Sequence, residues 1–134
     1  MVKISRYRID LENARLEQAG IKRYAETVSS LSADASTTLN IANGNVFALD
    51  HDTDITTLTI SNGTASGNCT SITIIRTKDN SGTARTIAWP SSFQWESGSA
   101  PTLTQTANAV DIITASTKNG GTTWYAFAVL NMAA

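Results

Sequence analysis

The chain has 134 residues, a formal net charge of −1, one cysteine and one histidine. This length suits one domain that folds without a metal or a disulfide, and the lone Cys69 excludes an internal disulfide. The near-zero charge argues against a nucleic-acid partner. No apolar run of about 18 residues is present, so no transmembrane helix and no membrane partner are expected. The basic N-terminus has no apolar stretch behind it, so no secretory signal is expected.

The first 35 residues are expected to form an N-terminal docking arm. About half of the charged residues of the chain lie before Thr27, and both signs are interleaved. Such a mixed segment favours docking on protein over binding nucleic acid. Asp10–Ala19 is rich in helix formers, with Asp10 as N-cap and Gly20 as the stop, whereas the residues before it also suit an extended strand. The arm is therefore expected to be partly helical or extended.

Basic, aromatic and aliphatic side chains of the arm are the candidates for contact with a partner. They are Arg6, Tyr7, Arg8, Leu11, Arg15, Leu16, Ile21 and Tyr24. A short helix with such a thin apolar stripe is marginal in water, so packing on another surface must order it.

Residues 36–134 are rich in threonine and read as short strands with alternating apolar side chains. The apolar residues expected to point inward are Leu39, Ile41, Phe47, Leu49, Leu58, Ile60, Ile72, Ile74, Ile87, Trp89, Val110 and Ile112. Polar turn signals such as "NGN", "HDTD", "KDNSGTA" and "KNGG" separate the strands. We therefore predict an all-β domain over 36–134, an antiparallel β-sandwich of jelly-roll type.

The segment around His51 is the first candidate for chemistry. Asp50, Asp52 and Asp54 surround this histidine, and carboxylates at alternate positions suggest a cation site. The segment lacks the glycine and the distal glutamate that a calcium loop requires. A polar connection between strands is the favoured interpretation, and no metal is expected.

No catalytic set stands out elsewhere. No nucleophile-elbow motif is present, and only His51 has the chemistry of a neutral-pH base. Cys69 is expected to be a buried or half-buried thiol. Paired carboxylates for glycoside hydrolysis would have to come from a scattered set. Its members are Asp34, Asp50, Asp52, Asp54, Asp79, Glu96 and Asp111. The chain is therefore expected to be non-enzymatic and to use no cofactor.

The stretch from Trp89 to Gln105, "WPSSFQWESGSAPTLTQ", contains two of the three tryptophans and both prolines. It suits either a ligand-binding loop or a structural corner. A wider aromatic set joins it, consisting of Trp89, Trp95, Trp124, Tyr125 and Phe127. These side chains suit a sugar-stacking platform or a core and an assembly interface, and the second interpretation is favoured.

The residues Gly82 to Phe127, "GTARTIAWPSSFQWESGSAPTLTQTANAVDIITASTKNGGTTWYAF", resemble a β-sandwich module of tailed-bacteriophage structural proteins. The shared pattern is "WP…W…G.AP.L", then "A.ANAVDI", then "GG.TWY". Upstream, "YAETV" and "NIANGNVFALD" fit the segment that leads into the module. The sequence Glu96–Gly98 departs from the usual "W.GG", so the turn there is expected to differ.

The resemblance implies a scaffold without a catalytic set. Prolines lack the N–H that a sheet ladder needs, so they favour edges and corners. Under this interpretation the stretch is a corner rather than a ligand loop. Its expected core and corner anchors are Trp89, Pro90, Trp95, Pro101 and Trp124.

Together these features predict a capsid decoration, or cement, protein on the virion surface, made in the host bacterial cytoplasm. The expected partners are the major capsid protein and further copies of the chain, as a homotrimer. The alternatives are a tail-fibre or tail-adaptor component and a carbohydrate-binding module that attaches to a host glycan.

Overall fold

The computed structural model describes residue 20 and residues 22–132, and these form an all-β fold, as the sequence predicts. Short 3-10 helices occur at Ile41–Asn43 and Glu96–Gly98. The eight strands are β1 (Val28–Ser32), β2 (Ser36–Asn40), β3 (Val46–His51), β4 (Thr57–Ser61), β5 (Thr70–Lys78), β6 (Phe93–Trp95), β7 (Val110–Thr117) and β8 (Trp124–Met132).

The strands form a six-stranded sheet in the order β1-β3-β5-β7-β8-β6 and a two-stranded sheet of β2 and β4. The antiparallel pairing expected from the sequence is present between β5 and β7 and between β7 and β8. The pairs β1–β3, β3–β5, β2–β4 and β6–β8 are parallel instead. The large sheet is therefore mixed, and the expectation of an antiparallel arrangement throughout is wrong for these pairs.

The parallel pairs among β1 to β5 arise because the chain alternates between the two sheets over this range. Successive turns of the chain stack on one another, in the manner of a solenoid. The link after β1 is closed by Thr37, whose hydroxyl accepts a hydrogen bond from Asp34 N at 3.0 Å and donates to Asp34 O at 2.8 Å. The turn signals in this half of the chain therefore mark changes of sheet rather than hairpins.

Gly44 shows why the "NGN" turn does not form a hairpin. Its φ is +137°, and an added Cβ would overlap the carbonyl oxygen of Thr27. Glycine permits this backbone conformation and this close approach. The chain therefore passes directly against the segment that leads into β1 and enters β3 beside it.

The "KNGG" turn forms the one hairpin that the turn signals predict correctly among the described strands. Gly120 and Gly121 have φ values of +69° and +86°, which favour glycine. The hydroxyl of Thr117 accepts from Gly121 N at 3.0 Å, and β7 and β8 pair in antiparallel fashion on either side.

The core lies against one face of the large sheet and includes side chains from both sheets. Most of the expected inward residues are buried there: Leu39, Phe47, Leu49, Leu58, Ile72, Ile74 and Ile87. Ile41, Ile60 and Trp89 are partly buried against the same cluster.

In β7 the predicted register is wrong by one residue. Val110 and Ile112 are only partly buried, whereas Asp111, Ile113 and Ala115 face the interior. The β5–β7 ladder places Ile113 opposite Ile74 and Asp111 opposite Arg76. A one-residue change of register exchanges the two faces of a strand, and the buried ion pair selects this one.

The other face of the large sheet carries partly buried and exposed side chains, and we call it the open face. Cross-strand register places its residues in rows. One row consists of Ala48, Ile75, Ile112 and Val129, and the next of Val46, Thr73, Thr114 and Phe127. A third consists of Ser71, Ser116 and Tyr125. Tyr125, Phe127 and Val129 are each more than half exposed.

The N-terminal strand lies inside the range expected to be an arm. β1 begins at Val28 and is an edge strand of the large sheet, so the sheet starts before residue 36. Tyr24 precedes it and is 76% exposed. The predicted helix Asp10–Ala19 lies outside the described residues, as do seven of the candidate arm residues: Arg6, Tyr7, Arg8, Leu11, Arg15, Leu16 and Ile21.

Candidate functional site

A buried polar cluster joins β3, β5 and β7 at one end of the large sheet. It consists of His51, Arg76 and Asp111, whose side chains are inaccessible to solvent. Arg76 Nε donates to His51 Nδ1 at 2.7 Å, and Arg76 Nη1 donates to Asp111 Oδ2 at 2.8 Å. Three neighbouring strands are therefore tied by one guanidinium.

Backbone groups complete the cluster on both sides. Arg76 Nη1 also donates to the carbonyl of Thr104 at 2.8 Å. Asp111 accepts from the backbone N–H of Thr104 and of Asn131, each at 2.9 Å. Arg76 Nη2 has no hydrogen-bond partner within the described part of the chain. The cluster thus fixes the loop before β7 and the end of β8.

His51 acts in this cluster as a neutral acceptor. An arginine N–H can only donate, so His51 Nδ1 is unprotonated, and Nε2 donates to the carbonyl of Thr86 at 3.2 Å. Burial and, next, the positive charge of Arg76 lower the pKa of His51 to about 4. Both ring nitrogens are therefore committed inside the protein, which leaves this histidine poorly placed to act as a general base.

The pKa of Asp111 is determined by opposing effects. Burial acts to raise it, but the backbone N–H groups of Asn131 and Thr104 and the charge of Arg76 outweigh burial and lower the pKa below its ordinary value. The carboxylate is therefore ionised and serves as the counter-ion of Arg76.

A second ionic cluster lies beside the first, around the turn after β5. The ammonium of Lys78 is buried, pairs with the carboxylate of Asp79 and donates to the carbonyl of Ser81 at 3.1 Å. Asp79 also accepts from Arg85 Nη2 at 2.9 Å and from the Ser81 hydroxyl at 2.7 Å. Hydrogen bonds from Arg85, Lys78 and Ser81 hold the pKa of Asp79 far below its ordinary value. This carboxylate is thus neutralised by structural partners.

The two clusters were not predicted from the sequence, although the pattern contains a signal for them. In "SITIIRTK" the two-residue alternation that buries Ile72 and Ile74 continues to Arg76 and Lys78. A strand that places two basic residues on its apolar face requires buried acceptors. The sequence pattern does not indicate which loops supply those acceptors.

The three aspartates around His51 do not converge with it. Asp50 and Asp52 are exposed, while Asp54 accepts from Thr86 N at 2.8 Å and from its hydroxyl at 3.2 Å. That backbone hydrogen bond is the main cause of the lowered pKa of Asp54. Over the described residues, no group of three His, Cys, Asp or Glu side chains is arranged to hold a metal ion.

Cys69 differs from its expected environment. Its side chain is exposed, in the loop that precedes β5, rather than buried or half-buried. The preceding loop "NGTASGN" has small side chains, which is consistent with the exposure of the thiol.

The stretch Trp89–Gln105 packs through its aromatic rings. The ring centroids of Trp89 and Trp95 are 4.9 Å apart in an edge-on arrangement, and those of Phe93 and Trp124 are 6.3 Å apart. Trp124 is buried, whereas Trp89 and Trp95 are half-buried against the core. β6 lies inside this stretch and pairs in parallel with β8 at the edge of the large sheet.

The two prolines of the stretch lie outside the strands and are half-buried. The carbonyl of Pro90 accepts from Phe93 N at 2.9 Å, which forms a turn directly before β6. Pro101 follows the 3-10 helix Glu96–Gly98, in which Ser97 has a φ of +58° and Gly98 one of +77°.

A groove of about 580 Å³ opens between the β6 segment and β8. Its walls are formed by Gln94, Trp95, Glu96, Ser116, Tyr125 and Phe127. Tyr125 and Phe127 are 55% and 54% exposed, so the aromatic set named from the sequence is divided. The three tryptophans pack against the core, while Tyr125 and Phe127 border the groove and belong to the open face.

None of the helices described in the structure is long and apolar enough to cross a bilayer. Comparison of the chain with protein-family models, with curated proteins and with solved structures finds no match in any of the three.

Proposed function

We propose that this chain is a non-enzymatic structural protein of a tailed-bacteriophage virion, and more specifically a capsid decoration protein. In this role it binds the assembled shell from outside and stabilises it. The phage assignment rests on the resemblance of residues 82–127 described above. The structural role rests on the distribution of polar and apolar side chains.

One observation carries the structural role. The only histidine of the chain, His51, and its partners Arg76 and Asp111 are buried and bonded to one another, while the open face offers uncharged aromatic, aliphatic and hydroxyl groups. Catalysis requires reactive groups at an accessible position. The arrangement therefore favours a protein that acts by contact.

The proposed contact with the major capsid protein is made by the charged N-terminal residues. The side chains proposed to make this contact are basic, aromatic and aliphatic: Arg6, Tyr7, Arg8, Leu11, Arg15, Leu16, Ile21 and Tyr24. Tyr24 alone among these residues lies in the described part of the chain, and its side chain is largely exposed. In a homotrimer, three weak contacts give an avidity that one contact lacks. A protein that binds only the assembled shell stabilises it by mass action.

The test is the copy number of the chain in purified particles, measured by quantitative mass spectrometry against the major capsid protein. Hundreds of copies per particle are expected for a decoration protein. A few copies would move the protein to the tail, as a fibre or adaptor component. Absence from the particles would overturn the virion assignment. Particles that lack the chain are also expected to lose DNA more readily on heating.

The groove beside Tyr125 and Phe127 favours a second candidate function, the binding of a host glycan. Aromatic faces stack on sugar rings, and Gln94, Glu96 and Ser116 supply polar groups within the same walls. Titration with cell-surface polysaccharide, followed by tryptophan fluorescence, tests it because Trp95 lines the groove. A shift that is lost in Tyr125→Ala and kept in Thr59→Ala would establish glycan binding. An unchanged spectrum would eliminate it.

A further inference from the structure

The open face has the chemistry of an interface rather than of a solvated sheet surface. A sheet with one solvated face normally carries polar and charged residues on that face. Here the row Ala48, Ile75, Ile112 and Val129 is entirely apolar and crosses four strands. Its centre, Ile75 and Ile112, is partly buried, and its end, Val129, is 52% exposed.

The hydroxyl groups beside this row are partly satisfied within the face. Ser71 and Ser116 lie opposite each other on β5 and β7, and their hydroxyl oxygens are 2.7 Å apart, which is a hydrogen bond. Thr73 and Thr114 also lie opposite each other in this ladder, but the hydroxyl–hydroxyl hydrogen bond is made by the serine pair alone among the residues of these rows. Burying hydroxyls that already have a partner costs less free energy than burying unpaired ones. The face can therefore lose water at low cost.

The charge of the face indicates what covers it. The three rows that define the face contain no charged side chain, and the carboxylates of Asp50 on β3 and of Glu96 beside the groove lie at its margins. An acidic or basic partner would find no complementary charge here. A second copy of the same face presents β-branched, aromatic and hydroxyl groups to match and brings no like charges together at the centre.

The dimensions also suit a second copy. Strands lie about 4.8 Å apart and rise about 3.4 Å per residue, so the face spans about 25 by 25 Å when β1, which pairs with β3, is added to the four strands that the rows cross. Two such faces in contact bury about 1,200 Å², which reaches the lower limit of specific, stable interfaces. Sheets pack face to face in this way, about 10 Å apart.

We propose that the open face is covered by a second copy of this chain. In the assembly, the apolar row of each copy packs against the open face of its neighbour, and Tyr125 and Phe127 lie inside the contact. The inference goes beyond the proposed function, because this face-to-face pairing of two copies is separate from the homotrimer on the shell and requires neither a virion nor the N-terminal contact.

Analytical ultracentrifugation of the full chain tests the proposal with two charge-matched variants. The face variant is Phe127→Glu with Val129→Glu, at two exposed positions of β8. The control is Thr57→Glu with Thr59→Glu, at two exposed positions of β4 with the same spacing. The wild type and the control are expected to form dimers, because a contact between two identical faces closes with two copies. In the face variant the dissociation constant is expected to rise at least about 100-fold.

A monomeric wild type would overturn the proposal. This holds even if the monomer binds a glycan or another protein through the same face. Equal association of the face variant and the control would overturn it as well. Circular dichroism shows whether the face variant folds. If it does not, oxidative footprinting of Tyr125 in the wild type decides the question. Labelling that falls as the protein associates supports the proposal, and constant labelling contradicts it.

Discussion

Arg76 and Asp111 lie opposite each other in the ladder between β5 and β7, and their side chains form a fully buried ion pair of 2.8 Å. Each partner is held by further groups, since Arg76 contacts His51 and Asp111 accepts two backbone N–H groups. Buried charges are costly to desolvate and are tolerated when paired and hydrogen-bonded. This pair therefore fixes the register of the two central strands.

Removal of one charge of this pair is expected to be strongly destabilising. Asp111→Asn leaves the guanidinium of Arg76 buried without a counter-ion, which costs about 3–5 kcal/mol in the free energy of unfolding. Urea denaturation followed by fluorescence measures the change. Asp50→Asn, at an exposed carboxylate, serves as the control and should change stability by less than about 0.5 kcal/mol. Equal stability of the two variants would show that the pair is dispensable.

Because the pKa of His51 is lowered, we expect the protein to lose stability in mild acid. This pKa is lowered from 6.5 to about 4 in the folded chain, so the unfolded chain binds more protons between these values. The free energy of unfolding therefore has its full contribution from His51 above about pH 6.5. It falls by up to about 3 kcal/mol as the pH falls to about 4. Unfolding free energies at pH 7 and pH 4.5 measure it.

His51→Gln is the matching variant for this pH dependence. Its amide oxygen can accept from Arg76 but does not titrate, so the fall in stability between pH 7 and pH 4.5 should shrink. The lowered pKa values of Asp54, Asp79 and Asp111 reduce stability mainly as the pH falls below their ordinary value of 3.8, so they contribute little between pH 7 and pH 4.5. A variant that retains the full wild-type slope would rule out His51 as its origin.

Gly44 predicts a large effect from a single methyl group. Gly44→Ala places a Cβ against the carbonyl of Thr27 at a φ that alanine rarely adopts, so a loss of about 2 kcal/mol or more is expected. Gly82→Ala is the control, because a Cβ there meets open space. Thermal unfolding of both variants checks the difference, and similar melting temperatures would contradict it.

The exposure of Cys69 predicts rapid reaction in the folded state. A maleimide reagent should label the native protein at one site and at a rate close to that of the urea-unfolded chain, because the thiol is exposed among the residues that the structure describes. Labelled protein should keep its melting temperature. Slow labelling of the native protein, relative to the unfolded chain, would mean that Cys69 is protected.

The tryptophan-rich stretch shows where the composition of the sequence was informative. Aromatic packing of Trp89, Trp95 and Trp124 against the core could be anticipated, because large rings have few other stable environments in a chain of this size. The division of the aromatic set between the core and the open face could not be anticipated. Trp124 and Tyr125 are adjacent in β8 and face opposite sides of the sheet, so their roles depend on which face the core covers.

The sequence by itself determined the all-β class, most of the buried apolar positions before β7 and the β7–β8 hairpin. These features depend on local causes: β-branched residues, two-residue alternation and glycines at positive φ. The parallel pairing of β1, β3 and β5 and the buried cluster of His51, Arg76 and Asp111 were decided only by the tertiary structure. A turn signal specifies that the chain changes direction, but the sheet it joins depends on contacts between residues that are distant in the chain. In the same way, the alternation of Val110 and Ile112 is typical of a buried face. These residues nevertheless lie on the open face, because Asp111 between them pairs with Arg76 on β5 inside the core.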